Sequence, residues 1–296
     1  MIYVLFISST VFLLLFLIER VDPLRQLKHN LLKRLIVNSI VTTLTFLVYL
    51  SVVQPTAGLT MQWTAQSSFG LLHWIKLPAI VGGTIAFLLM DLSFYYWHRS
   101  THQFAFLWRF HLAHHIDPDL DVSNGFRFHF GEIFFSTGFR ILQVALIGLS
   151  LQTYLVYELA FQANTMFHHS NVKLPLRLER GLNFVLVTPR MHGIHHSQLQ
   201  QETNANFSSV FPWWDRLHGT LRLNVPQSMI TIGVPAYDHP DDNTIQNVLL
   251  LPFRQQRDDW GRTKNVTRDP AIVGDDPIQM IDVESAGDRQ QSLTDT

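Results

Sequence analysis

The chain has 296 residues, with 22 Lys plus Arg against 23 Asp plus Glu and a formal net charge of −1. That balance argues against a nucleic-acid binder, which carries a basic excess. Cysteine is absent, which excludes disulfides, thiolate metal sites, thiolate-held iron–sulfur clusters and a cysteine nucleophile.

Residues 1–18 hold no charge and are mostly apolar, and the basic residues follow this run rather than precede it. A retained membrane anchor fits that order better than a cleaved leader. Residues 35–53 form a second uncharged run. Residues 77–96 form a third, interrupted only by Asp91. Residues 134–167 hold two more, with a turn expected at Gly148-Leu149-Ser150 and only Arg140 and Glu158 charged. The expected fold is therefore all-α: a multi-span helical membrane protein with a histidine-rich helical cap on the cytoplasmic side. Arg20, Arg25, Lys28, Lys33 and Arg34 lie between the first two runs, and no Lys or Arg follows until after Leu72. By the positive-inside rule the first loop is cytoplasmic, and so are the histidine-rich segments and the C-terminus. The expected organisation is an N-terminal region over 1–76, a catalytic domain over 77–223, an extension over 224–253 and a disordered polar tail over 254–296. That tail carries six basic and nine acidic residues.

Eleven of the 15 histidines fall between His98 and His196. His98 and His102 stand at i and i+4, on one face of a helix. His111, His114 and His115 follow the pattern H-x-x-H-H, and His192, His195 and His196 repeat it. Thr188-Pro189 reads as a helix start in front of the last set. So many neighbouring imidazoles would repel one another if protonated, whereas metal binding keeps them neutral and uses every ring. All-nitrogen ligation fits Zn, Cu, Fe or Ni, and eight histidines exceed what one ion takes, so two ions are expected. The H-E-x-x-H protease signature, the G-x-S-x-G elbow, the P-loop and the dinucleotide fingerprint are all missing.

In this order the motifs resemble the fatty acid hydroxylase / sterol desaturase superfamily of membrane di-iron enzymes, in its bacterial sterol desaturase-like branch. The matching pieces are D-x-x-x-Y-x-x-H-R-x-x-H from Asp91 to His102 and W-R-F-H-x-x-H-H from Trp108 to His115. R-F-H-x-G-E from Arg127 to Glu132, F-H-H-S-N from Phe167 to Asn171 and T-P-R-M-H-x-x-H-H-S from Thr188 to Ser197 follow. N-F at Asn206-Phe207 and W-D-R-L-x-G-T from Trp214 to Thr220 close the series. The resemblance implies two irons held by the three clusters, with His169 as a further ligand and a lesser expectation for His129. His168 is a ligand, a supporting residue or a packing residue. Two departures stand out: Phe130 replaces a common proline, and Thr165 stands where some relatives have another histidine.

Asp91 is expected to accept from an imidazole N–H, or else to be a helix-end charge reaching water. Glu132 is expected to orient a histidine or to pair with Arg127. The implied activity is hydroxylation or desaturation of a fatty acyl chain, sterol or related isoprenoid with O2 as co-substrate. Electrons come from an external ferredoxin, cytochrome or reductase, since the chain has no motif for a redox cofactor of its own. Zinc is able to replace iron in a recombinant preparation. The expected location is the bacterial inner membrane. A zinc-dependent membrane lipid hydrolase and a metal transporter or sensor are the competing readings.

Overall fold

The computed structural model describes residues 2–263. It is all-helical, with no strand among the described residues and only two isolated bridges, Pro23 with Val172 and Ser197 with Ile232. The long helices are α1 (Ile2–Val21), α2 (Leu31–Val48), α3 (Gln54–Ser67), α4 (Ala79–Gln103), α5 (Ala105–His115), α6 (Phe130–Ile147) and α7 (Leu151–His169). Shorter ones complete the cap: α8 (Leu176–Leu182), α9 (Pro189–His195), α10 (Trp213–His218) and α11 (Ile245–Leu250).

Three stretches are long and apolar enough to cross a membrane: Leu31–Trp74, Ala79–Gln103 and Phe130–Ile147. They overlap three of the five apolar runs, and the other two runs are also helices, α1 and α7. Leu59, Ile80, Leu142, Leu146 and Leu151 are each more than half exposed, as a surface solvated by lipid requires. The turn expected at Gly148 is present. Gly148 caps α6 with φ of 73° and its N–H bonds to Val144 O, so the chain reverses into α7.

The second apolar run differs from the expectation. The helix starts at Leu31 and continues through a π-turn (Tyr49–Val53) into α3, ending where Ser68 takes φ of 52°. Val37 and Val41 do not face lipid. They pack on Leu112, Ile116, Val234, Tyr237, Val248 and Leu251 in the core of the cap. The apolar run is divided between cap and membrane, so the crossing extends past Pro55 into α3. A second core lies between the long helices, with Ala57, Met61, Ala86, Met90, Val144 and Tyr157.

Several of the long helices bring one end to the histidine side. α1 ends there, with Arg20 paired to Asp121 and Glu19 accepting from Val122 N and Asn171 N. α4 and α7 finish there with histidines, and α6 starts there with His129 as its N-cap. An ion cluster ties the layers together. Arg34 on α2 bonds Asp117 at 2.7 Å and Asp121 at 2.9 Å, and Arg127 bonds Asp117 at 3.1 Å and Asn38 at 2.7 Å, all buried. Burial alone would raise the pKa of Asp117, but Arg34 and Arg127 outweigh it and hold the carboxyl well below the usual range.

Of the expected tail, only residues 254–263 are described. Trp260 is buried and stacks on Trp108, whose indole N–H donates to Asp259 at 2.7 Å. Residues 264–296 lie outside the described residues.

Candidate metal centre

Helix spacing gathers the histidines in two groups. His98 and His102 from α4, His111 and His115 from α5 and His195 from α9 form the first. His114 from α5, His169 from α7, His192 from α9 and His196 just after it form the second. In each group the donor atoms lie within 4.8 Å of one another. The repeated H-x-x-H-H pattern explains the division: in each copy neighbouring rings serve different groups, so α5 and α9 each contribute to both.

The protonation pattern is readable from fixed acceptors. A main-chain carbonyl can only accept, so the ring nitrogen facing it must carry the proton. His98 Nδ1 faces Phe207 O at 2.8 Å, His195 Nδ1 faces Ala205 O at 2.7 Å and His169 Nδ1 faces Thr165 O at 2.8 Å. His114 Nδ1 faces Arg127 O at 3.3 Å. The opposite nitrogen of each ring is therefore a bare lone pair. In the second group the lone pairs of His169 and His114 face each other, Nε2 to Nε2, at 3.1 Å, and His192 Nε2 lies 2.9 Å from His169 Nε2. His192 Nε2 is in turn 3.1 Å from His196 Nε2. In the first group Nε2 of His111, His115 and His195, and both ring nitrogens of His102, are buried without a hydrogen-bond partner. Lone pairs facing one another in a water-free interior are costly, and a cation between them removes the cost. The residues thus fit two metal ions. Burial, reinforced by the neighbouring rings, pushes His114, His115, His192 and His196 well below the ordinary imidazole range, and His195 falls to about 3. These five rings are held neutral, as ligands must be.

The supporting shell comes from the later motifs. Asp215 accepts from Phe207 N and Ser208 N, both at 2.9 Å, and from the Thr220 hydroxyl at 2.6 Å, fixing the carbonyl that receives His98. Asn206, with φ of 57°, holds the same loop to Met191 O and Arg222 O. Gly193 leaves room for Arg25 to cross α9, since a Cβ there would stand 2.3 Å from Arg25 Nη1. Of the two partners expected for Glu132, His111 Nδ1 lies at 3.0 Å, while Arg127 pairs with Asp117.

Asp91 does not meet an imidazole. It accepts from Val210 N, Phe211 N and the Trp214 indole, and so anchors the loop that carries Ser208 and Ser209. Seven helical residues put it about 10 Å along the axis from His98, too far for direct contact. His129 lies outside both groups: its Nδ1 accepts from Gly131 N as a helix cap and its Nε2 meets Leu249 O. His168 also lies outside them, with its ring against His169 and His192. The roles of Asp215 and of the Ala205 and Phe207 carbonyls escape sequence reading, although N-F and W-D-R-L-x-G-T mark the segments that supply them.

A cavity of about 150 Å³ opens beside both groups, between His98, His111, His114, His169 and His192 on one side and the helices of the spanning region on the other. Phe94, Trp97, Phe128 and Phe161 give it apolar walls.

The profile of the family described as fatty acid hydroxylase matches residues 83–220, the stretch that carries all nine grouped histidines. That segment belongs to the fatty acid hydroxylase family. Over 150 residues the chain is 30% identical to ornithine lipid hydroxylase OlsE of Rhizobium tropici, covering 51% of this chain and 44% of that protein. It is 28% identical over 190 residues to cholesterol 25-hydroxylase of Homo sapiens, covering 56% of this chain and 62% of the relative. Alkylglycerol monooxygenase of Homo sapiens is 27% identical over 140 residues, 46% of this chain and 29% of its own length. The chain thus spans about half the length of the curated relatives it matches. No solved structure matches it at a significant level.

Proposed function

We propose that the chain is a membrane lipid mono-oxygenase with two irons, one held by His98, His102, His111, His115 and His195, the other by His114, His169, His192 and His196. The observation that carries this reading is the meeting of two sets of unprotonated, buried imidazole nitrogens at the end of apolar helices, beside an apolar cavity. The zinc hydrolase reading needs a carboxylate free to move a proton at the site. Glu132 is bonded to His111, and Asp91 holds a loop. The names of the relatives, hydroxylases of an ornithine lipid and of cholesterol and a monooxygenase of alkylglycerols, support a lipid substrate.

Iron bound here would supply the redox chemistry that activates O2 towards an unactivated C–H bond. The balance R–H + O2 + 2 e⁻ + 2 H⁺ → R–OH + H2O needs two electrons from outside the chain, hence a ferredoxin, cytochrome or reductase as partner. The protein's own contributions are visible. Carbonyls of Phe207, Ala205, Thr165 and Arg127 fix ring orientation and tautomer, and Glu132 aligns His111. Phe94, Trp97, Phe128 and Phe161 exclude water and accept a lipid chain. The catalytic segment is proposed to span residues 77–223. The end carrying the histidines is proposed to face the cytoplasm of a bacterial inner membrane, because Arg20, Arg25, Lys28, Lys33 and Arg34 lie at that end. The test is 18-O2 labelling of lipids in membranes that express the protein, with a reductant supplied. One labelled hydroxyl per product is expected. Lipid turnover without O2 would establish a hydrolase instead.

A further inference from the structure

The cavity that begins at the histidines ends on charge. Away from the histidines it is lined by Tyr49, Ser136, Arg140, Glu158 and Gln162. Arg140 Nη2 pairs with Glu158 Oε1 at 2.9 Å, and Tyr49 donates to Glu158 Oε2 at 2.9 Å. Arg140 Nη1 donates to Gln143 Oε1 at 2.8 Å, and Gln143 donates to Met90 O and Ser93 Oγ on α4. The guanidinium also lies 4.8 Å over the Phe94 ring. Arg140 and Glu158 are both buried, and both sit mid-helix in α6 and α7. A buried ion pair is a weak source of stability, since an apolar pair of similar volume often does as well. Ionisable groups at such a depth mark binding sites or conduction paths by default. Beyond Arg140 on α6 come Val144 and Ile147, packed in the apolar core with Tyr154 and Tyr157.

Along α6 the cluster lies eight residues from Glu132, about 12 Å at 1.5 Å per residue. Along α7 it lies eleven residues from His169, roughly 16 Å. Between the two ends stand Phe94, Phe126, Phe128, Ile133 and Phe161. The pair offers both a donor and an acceptor and carries no net charge, so it suits a neutral group that also donates and accepts, which is an alcohol. We propose that Tyr49, Arg140 and Glu158 bind the hydroxyl of an amphipathic lipid alcohol that lies with its apolar end towards the histidines. The reacting carbon is then remote from the polar group. This assignment rests on the mono-oxygenase reading for what happens at the apolar end, but binding and orientation are measurable without turnover.

The experiment uses the purified full-length protein in lipid nanodiscs and three probes of equal chain length. One is an alcohol with a diazirine beside the hydroxyl, one an alcohol with a diazirine at the far end, and one the diazirine alkane without hydroxyl. After photolysis, peptide mapping is expected to place the hydroxyl-side label on the segments of Ser136 and Gln162, and the far-end label on those of Trp97 and Phe128. The alcohols are expected to label about tenfold more efficiently than the alkane, as one or two buried hydrogen bonds allow. The isoelectric double variant Arg140→Gln/Glu158→Gln is expected to lose that preference while capturing the alkane as the wild type does. A reversed labelling pattern, equal capture of alcohol and alkane, or an equal loss of both in the variant would each overturn the assignment. No O2, iron or reductant enters the experiment. Correct orientation in a protein without oxygenase activity would therefore refute the function proposed above and leave this assignment standing.

Discussion

His98 donates from Nδ1 to the main-chain carbonyl of Phe207 at 2.8 Å, and this bond joins the first histidine motif to the last segment of the site, 109 residues later. Phe207 is itself held by Asp215 through its N–H. The ring proposed to hold a metal is thus aimed by a loop, and the loop by a carboxylate.

Removing that carboxylate should weaken metal binding without touching a ligand. Asp215→Ala leaves Phe207 N and Ser208 N unpaired and frees the carbonyl that orients His98. Loss of such a supporting partner typically costs about 10- to 100-fold in affinity. Competition with a chromophoric chelator measures it, and an affinity equal to wild type would show that the loop is set by other contacts.

Glu132 separates two effects at His111. Glu132→Gln retains an acceptor for Nδ1 and is expected to lose less affinity than Glu132→Ala, for which about 10- to 100-fold is again the range. The same chelator titration orders the two variants. A Gln variant as poor as the Ala variant would mean that the charge, not the orientation, is what His111 needs.

The acid response of the metal-free protein follows from the buried rings. Above pH about 6.5 the imidazoles are neutral whether the chain is folded or not, so stability is level there. Below it the unfolded chain takes up protons that the folded cluster refuses, His195 until pH about 3. Each such ring costs roughly 1.4 kcal/mol per pH unit below 6.5. Thermal melts should therefore drop steeply between pH 7 and 5, and level midpoints over that range would show that the rings are not buried neutral.

Asp117 makes a purely structural prediction. Asp117→Ala leaves Arg34 and Arg127 buried without their shared carboxylate, at a cost of roughly 3–5 kcal/mol. The expected sign is a large fall in melting midpoint with ligand spacing unchanged in whatever protein still folds. A shift of under a degree would mean that Asp121 and the carbonyl of Asp119 suffice for Arg34.

What the sequence makes legible follows from how local each feature is. Histidine spacing along α4, α5 and α9 and the turn at Gly148 are read within a few residues. The Arg34–Asp117 pair spans 83 positions, and nothing in either neighbourhood announces the other. Arg34 counts as a loop charge in the sequence, yet it is buried at the centre of the ion cluster. Val37 and Val41 read as membrane residues because apolarity alone does not tell lipid from protein core. Asp91 carries the composition of a supporting carboxylate, but its partners, Val210, Phe211 and Trp214, lie more than a hundred residues away and have no periodic signal.

The most direct test of the account is iron content per chain after anaerobic Fe(II) loading of the detergent-purified protein, beside His111→Ala from the first group and His196→Ala from the second. The account predicts close to two irons in the wild type and close to one in each variant, with the double variant near zero. A single tightly held zinc that excludes iron, or iron content unchanged in both variants, would contradict it.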